Sequence, residues 1–85
     1  MQKGQERELV SSQVVRILRD ERQRQGLSMT VLAQRAGLSQ AMISFVEREI
    51  RNPSLDTLLR VTEVLHVNLG DIIKRAYVAA SRKSK

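Results

Sequence analysis

From Gln40 to Arg48 the sequence reads QAMISFVER, and its side chains suit contact with the edge of a base rather than bond-making chemistry. If Ile43 and Val46 point inward on a helix, steps of about 100° gather Gln40, Ala41, Ser44, Phe45 and Arg48 on the opposite arc. Gln40 can bond an adenine edge through both halves of its amide, Ser44 can donate or accept, and Ala41 and Phe45 offer apolar contact to a thymine methyl. Arg48 suits a guanine edge or a phosphate. An ordinary solvated helix face would carry Gln40, Ser44 and Arg48 equally well. It accounts poorly for Phe45, because an aromatic residue in the middle of an outward face calls for a partner.

The remaining residues argue against catalysis. The chain has no Cys, which removes thiol nucleophiles, disulfides and thiolate metal sites and suits a reducing cytosol. Its single histidine, His66, falls at the end of a helical segment, where a C-terminal cap or a dipole contact is the expected role. Asp20 with Glu21, and Glu47 with Glu49, are close in sequence but have no metal-ligand spacing or phosphate loop beside them. No enzyme activity, metal, cofactor or small-molecule ligand is expected.

Fifteen Lys and Arg against nine acids give a formal charge of +6, which points to a polyanion, although solubility alone also favours excess charge. Phe45 and Tyr77 are the only aromatic residues, so the stacking platforms of single-strand and RNA binders are missing and duplex DNA is the better polyanion. The basic residues are scattered rather than opposed to one large apolar face, which disfavours a membrane surface. The longest apolar run is Ala76 to Ala80, too short for a signal peptide or a membrane span.

Positioning the Gln40 to Arg48 arc falls to helices. Eighty-five residues allow one small all-α domain, and the apolar spacing predicts five helical segments over 12–80 between a flexible tail at 1–11 and a basic tail at 81–85. The first, about Ser12 to Gln25, turns Val10, Val14, Ile17 and Leu18 inward and stops at Gly26. Ser28 caps the second, with Leu32, Ala33 and Ala36 inward, and Ser39 caps the third. Asn52-Pro53-Ser54 breaks the chain before a fourth helix, in which Leu55, Leu58, Leu59, Val61 and Leu65 are expected in the core. Asn68 caps a fifth with Leu69, Ile72 and Ile73 inward. Gly37 sits where one long helix would otherwise run on, so a left-handed glycine is expected to turn the chain sharply between two short helices at about 28–48.

The runs GLSMTVLAQRAGLSQAMISFVER and RNPSLDTLLRVTEVLHVNLGDII resemble the lambda-repressor-like (Cro/repressor-type, XRE) helix-turn-helix family over about Val14 to Ala76. The resemblance implies a compact five-helix DNA-binding domain whose third helix enters the major groove. It implies phosphate contacts from Ser28, Met29 and Ser39 at the starts of the second and third helices, and from Arg51 and Asn52 in the loop after the third. It also implies an ion pair between Arg22 and Glu47. Met29 departs from the usual Gln, which places that contact in question. Glu49 stands where Gly is frequent, so either a left-handed non-glycine residue is strained there or the loop takes another path. Val15 and Glu21 also depart from common choices.

The resemblance further implies a bacterial or phage-encoded cytoplasmic regulator, acting as a homodimer on a pseudo-palindromic operator and controlled by its own concentration. Ala76, Tyr77 and Ala80 continue the fifth helix's apolar stripe and form the expected dimer interface, although a frayed amphipathic terminus would read the same way. The rival reading is a protein-interaction module, antitoxin-like or adaptor, that docks through the Phe45 face.

Overall fold

The computed structural model describes residues 3–83, which form five α-helices: α1 (Lys3–Arg24), α2 (Met29–Ala36), α3 (Gln40–Glu47), α4 (Leu55–Leu65) and α5 (Leu69–Lys83). No strand occurs among the described residues. The core gathers Val14 and Leu18 of α1, Leu32 and Ala33 of α2, Ile43 of α3, Val61 and Leu65 of α4, and Ile72 and Ala76 of α5. Leu32, Leu65 and Ile72 are the largest fully buried side chains, each removing a whole aliphatic group from water at about 1.5–3 kcal/mol.

The helix boundaries follow from local chemistry. Ser28, Ser39 and Ser54 cap α2, α3 and α4, their Oγ atoms accepting from the amides of Val31 (3.1 Å), Met42 (3.0 Å) and Thr57 (3.0 Å). Asn68 does the same for α5 through Oδ1 and the Asp71 amide. At the C-terminal ends, Gly26 (φ 71°) and Gly37 (φ 70°) turn left-handed. After Gly26 the Leu27 amide donates to the Arg22 carbonyl, and after Gly37 the Leu38 amide donates to the Ala33 carbonyl, closing each helix end.

The structure changes three expectations. Residues 3–11, expected as a tail, belong to α1, which reaches back to Lys3 instead of starting near Ser12. The segment contains no proline, places Glu6 in the first turn where the dipole favours a carboxylate, and packs Val10 against the core. The C-terminal tail expected from Ser81 is likewise helical as far as Lys83; residues 84 and 85 lie outside the described residues.

The second change concerns the fifth helix. Ala76 and Ala80 are fully covered within the monomer, so they are not a dimer surface. α1 and α5 run antiparallel: Gln25, just after α1, donates from Nε2 to the carbonyl of Leu65 at the end of α4, four residues before α5, while Val10 and Val14 line a groove with Ile73 and Tyr77. α1 lies along the stripe, with Val14 and Leu18 in the same core cluster as Ala76.

The third change is a rotation of α4. Leu55 (64% exposed) and Leu59 (49%) face solvent, and Thr57 and Thr62 are buried in their place. Burial of a threonine requires a partner for its hydroxyl. Thr57 Oγ1 accepts from Ser54 Oγ at 3.0 Å, and Thr62 Oγ1 donates to the Leu58 carbonyl at 2.9 Å.

Candidate nucleic-acid interface

α3 is a two-turn helix whose position is set from behind. Ile43 and Val46 enter the core, and α2 crosses it through the small Ala33 and Ala36. The turn between them is held tightly: a Cβ added at Gly37 would lie 3.0 Å from Arg60 Nη1. That nitrogen donates to the Ala36 carbonyl at 3.2 Å, while Arg60 Nε is bonded to Asp56 at 2.8 Å. The Asp56 carboxylate raises the pKa of the Arg60 guanidinium further.

The strongest fastening is at the other end of α3. Arg22 reaches Glu47 with both Nε (2.6 Å) and Nη2 (2.8 Å), and its Nη1 donates to the Leu27 carbonyl at 2.7 Å. Both side chains are nearly buried, at 10% and 11% exposure. A bidentate pair with its third donor also satisfied fixes orientation as well as distance. One guanidinium therefore joins the end of α1, the α1–α2 turn and the end of α3.

Held in this way, α3 leaves Gln40, Ala41 and Arg48 exposed, with Ser44 and Phe45 half-buried beside them. All five residues of the arc expected from the helical wheel are accessible on one side of α3. Phe45 differs from expectation, because the Arg51 guanidinium lies over its ring at 5.2 Å from the centroid. The ring is partly covered by the chain itself, which weakens the case that it must dock into another protein. This stacking was missed in sequence because the two residues are joined by a non-helical turn. In that turn the Ile50 and Arg51 amides both donate to the Phe45 carbonyl.

The residues expected to hold phosphate separate into two groups. Ser28, Ser39, Arg51 and Asn52 are all exposed. The two serine oxygens accept from helix amides, and each hydroxyl keeps its hydrogen to donate outward. Met29 differs: its side chain packs against the core, so only its backbone amide remains to serve an anion at the start of α2. A thioether cannot replace the amide of a glutamine, and here it is used as packing.

The Glu49 alternatives resolve to the left-handed one, with φ 59°. The Glu49 carboxylate faces Arg16 Nε at 3.7 Å, a partly exposed contact that ties the loop after α3 to α1. His66 is the C-terminal cap of α4, also left-handed, its amide donating to the Glu63 carbonyl at 3.3 Å. Glu21, at the end of α1, bonds Arg24 and Gln25, which hold its carboxyl below the usual carboxylate range. Among the described residues no cluster of three or more His, Cys, Asp or Glu could hold a metal ion, and no helix is long and apolar enough to cross a membrane.

Comparison with known proteins agrees with this geometry. Residues 18–72 match the model of the helix-turn-helix family. Over 59 residues the chain is 37% identical to an uncharacterised HTH-type transcriptional regulator of Mycobacterium tuberculosis (strain CDC 1551 / Oshkosh), a match covering 69% of this chain and 42% of that protein. A regulator of strain H37Rv matches with the same identity and coverage. The chain thus spans well under two thirds of the length of these relatives. The fold also resembles the crystal structure of the clp gene regulator ClgR from Corynebacterium glutamicum, with a TM-score of 0.80 at 22% identity over 89% of this chain and 81% of that one.

Proposed function

The chain belongs to the helix-turn-helix family, of the lambda-repressor-like type, and on that premise we propose that it is a bacterial or phage-encoded protein that regulates transcription in the cytoplasm by binding duplex DNA sequence-specifically as a homodimer. The observation that carries this reading is the exposed arc of α3, held from behind by the Arg22–Glu47 pair. A base-reading helix needs its side chains free and its backbone fixed, since a small displacement removes bidentate geometry. Gln40, Ala41, Ser44, Phe45 and Arg48 are assigned to base edges. The amides at the starts of α2 and α3, with Ser28, Ser39, Arg51 and Asn52, are assigned to phosphates, which position the protein without reading sequence. The protein acts by occupying DNA rather than by catalysis.

Homodimerisation is assigned to the exposed side of α5. Of the residues expected there, Ala76 and Ala80 are withdrawn and Tyr77 (52% exposed) remains, with Val78 (54%) exposed next to it in sequence. Two copies joined along α5 would set their α3 helices about 34 Å apart, one DNA turn, on a pseudo-palindromic site. Control would then follow from protein concentration through dimerisation and operator occupancy.

The test is selection from a random duplex library at two salt concentrations, followed by sequencing of the retained fraction. An enriched palindrome with steep salt dependence is expected. Retention without enrichment would remove sequence reading, and no retention at low salt would remove DNA as the partner.

A further inference from the structure

Resting on that reading, we propose that the N-terminal half of α1 extends the DNA contact beyond the helix-turn-helix, with Arg7 and Ser11 holding a backbone phosphate of duplex DNA at the mouth of a polar cleft. The cleft has a volume of about 300 Å³ and lies between α1 and the loop after α3. Arg7 and Ser11 stand four residues apart on one face of α1, with Ser12 beside them, and Arg51 and Asn52 form the opposite wall. The wall and the reading arc share a side chain: Arg51 lines the cleft and also lies over Phe45. A backbone that passes Arg51 while α3 reads bases therefore comes within reach of α1. Arg7, Ser11, Ser12 and Asn52 supply the charged and neutral donors with which proteins hold phosphate oxygens.

Two carboxylates also line the cleft, Glu8 and Glu49. Glu49 faces Arg16 at 3.7 Å, which offsets its charge and leaves Arg7 and Arg51 against Glu8 alone. The balance at the mouth is positive, and Glu8 opposes the phosphate that Arg7 attracts. The proposal therefore makes two predictions of opposite sign at adjacent positions of one helix, with the salt slope separating a phosphate contact from the general field of the charges.

The experiment is fluorescence anisotropy of the full chain on a labelled random-sequence duplex across a range of chloride concentrations. Arg7→Ala is expected to lower the slope of log affinity against log salt by about 0.9 and to weaken binding roughly fivefold to tenfold at 0.1 M salt, as loss of one phosphate contact does. Arg7→Lys is expected to retain the slope, and Glu8→Gln to strengthen binding. Alanine is a strong helix former and Arg7 is exposed, so the fold is kept, and thermal melting of each variant checks it. An unchanged slope for Arg7→Ala, or weaker binding by Glu8→Gln, would overturn the proposal. If Arg51→Ala lowers the slope while Arg7→Ala does not, the α1 contact fails and the functional reading stands. If the wild-type chain shows no salt-dependent binding, both fail. Exchanging chloride for inorganic phosphate at constant ionic strength separates the two sources of phosphate: a persisting difference between wild type and Arg7→Ala supports the duplex backbone, and its disappearance, showing a site for the free ion, overturns it.

Discussion

Two helices, α1 and α2, end in a left-handed glycine, Gly26 and Gly37, whereas α3 and α4 end in a left-handed Glu49 and His66. The backbone task is the same in all four places. The surroundings differ. Around Gly26 an added Cβ would meet nothing within 4 Å, while at Gly37 it would press on Arg60 Nη1 at 3.0 Å. The joint before α3 thus needs glycine for conformation, and any side chain there must also displace the tip of Arg60 from its bond to the Ala36 carbonyl. The joint after α3 accepts the cost of a side chain at positive φ, about 1–2 kcal/mol, and uses that side chain to meet Arg16. The entry to α3 thus turns on a glycine, whereas its exit carries a side chain at the same backbone conformation and leans on Arg16 and Arg22 of α1.

If the exit depends on side chains, Arg22→Ala should be the most damaging single change at either end of α3. Removing one partner of a nearly buried pair leaves Glu47 uncompensated, and a loss of about 3–5 kcal/mol is expected by chemical denaturation. A loss below about 1 kcal/mol would mean that the exit is held by packing alone. Gly37→Ala comes next, at about 2 kcal/mol, and should exceed Gly26→Ala, at about 1 kcal/mol. Equal melting temperatures for the two variants would erase the distinction between a strained and a crowded position.

Glycine at the other two ends should act in the opposite direction. His66→Gly is expected to stabilise by about 0.5–1 kcal/mol by relieving the left-handed backbone. Glu49→Gly should gain less, because it also gives up the partly exposed Arg16 contact, whose value lies in the range of about 0–1 kcal/mol. If Glu49→Gly gains as much as His66→Gly, the Arg16 contact contributes nothing.

The smallest effect belongs to acid pH. The Glu21 carboxyl is held below its usual range chiefly by Arg24, so the unfolded chain binds that proton more readily than the folded one. Its stabilisation is present above the ordinary carboxylate range and is lost as pH falls through the lowered folded value. Glu21→Gln should therefore show a shallower loss of stability on acidification, read from melting temperatures at successive pH values.

Much of this was legible because it is local. A serine three residues before a helix amide, a glycine where a helical stripe stops, and an Asn before an apolar run each state a helix end within a few residues. Ser28, Ser39, Ser54, Asn68, Gly26 and Gly37 all occupy those places. The accessibility of Gln40, Ala41, Ser44, Phe45 and Arg48 followed from the same periodicity. What the sequence concealed depends on distant parts of the chain. Gly4, Ser11 and Ser12 weaken the helical signal upstream of Val14, and that stretch is stabilised by packing on α5. Leu55 and Leu59 gave way to Thr57 and Thr62 because hydroxyls that bond within the helix made the threonines acceptable inside. Met29 packs against the core.

The pairing of the first helix with the last has a consequence for biosynthesis. The apolar stripe of α1 leaves the ribosome first, and α5, which covers it, follows only after α2, α3 and α4. Through that interval Val14 and Leu18 can meet only the part of their cluster that α2, α3 and α4 supply, and the core closes only when Ile72 and Ala76 arrive. Contacts so far apart along the chain slow closure and lengthen the exposure of an uncovered surface. A substitution that weakens the packing of α1 on α5 would therefore prolong that exposure without touching α3.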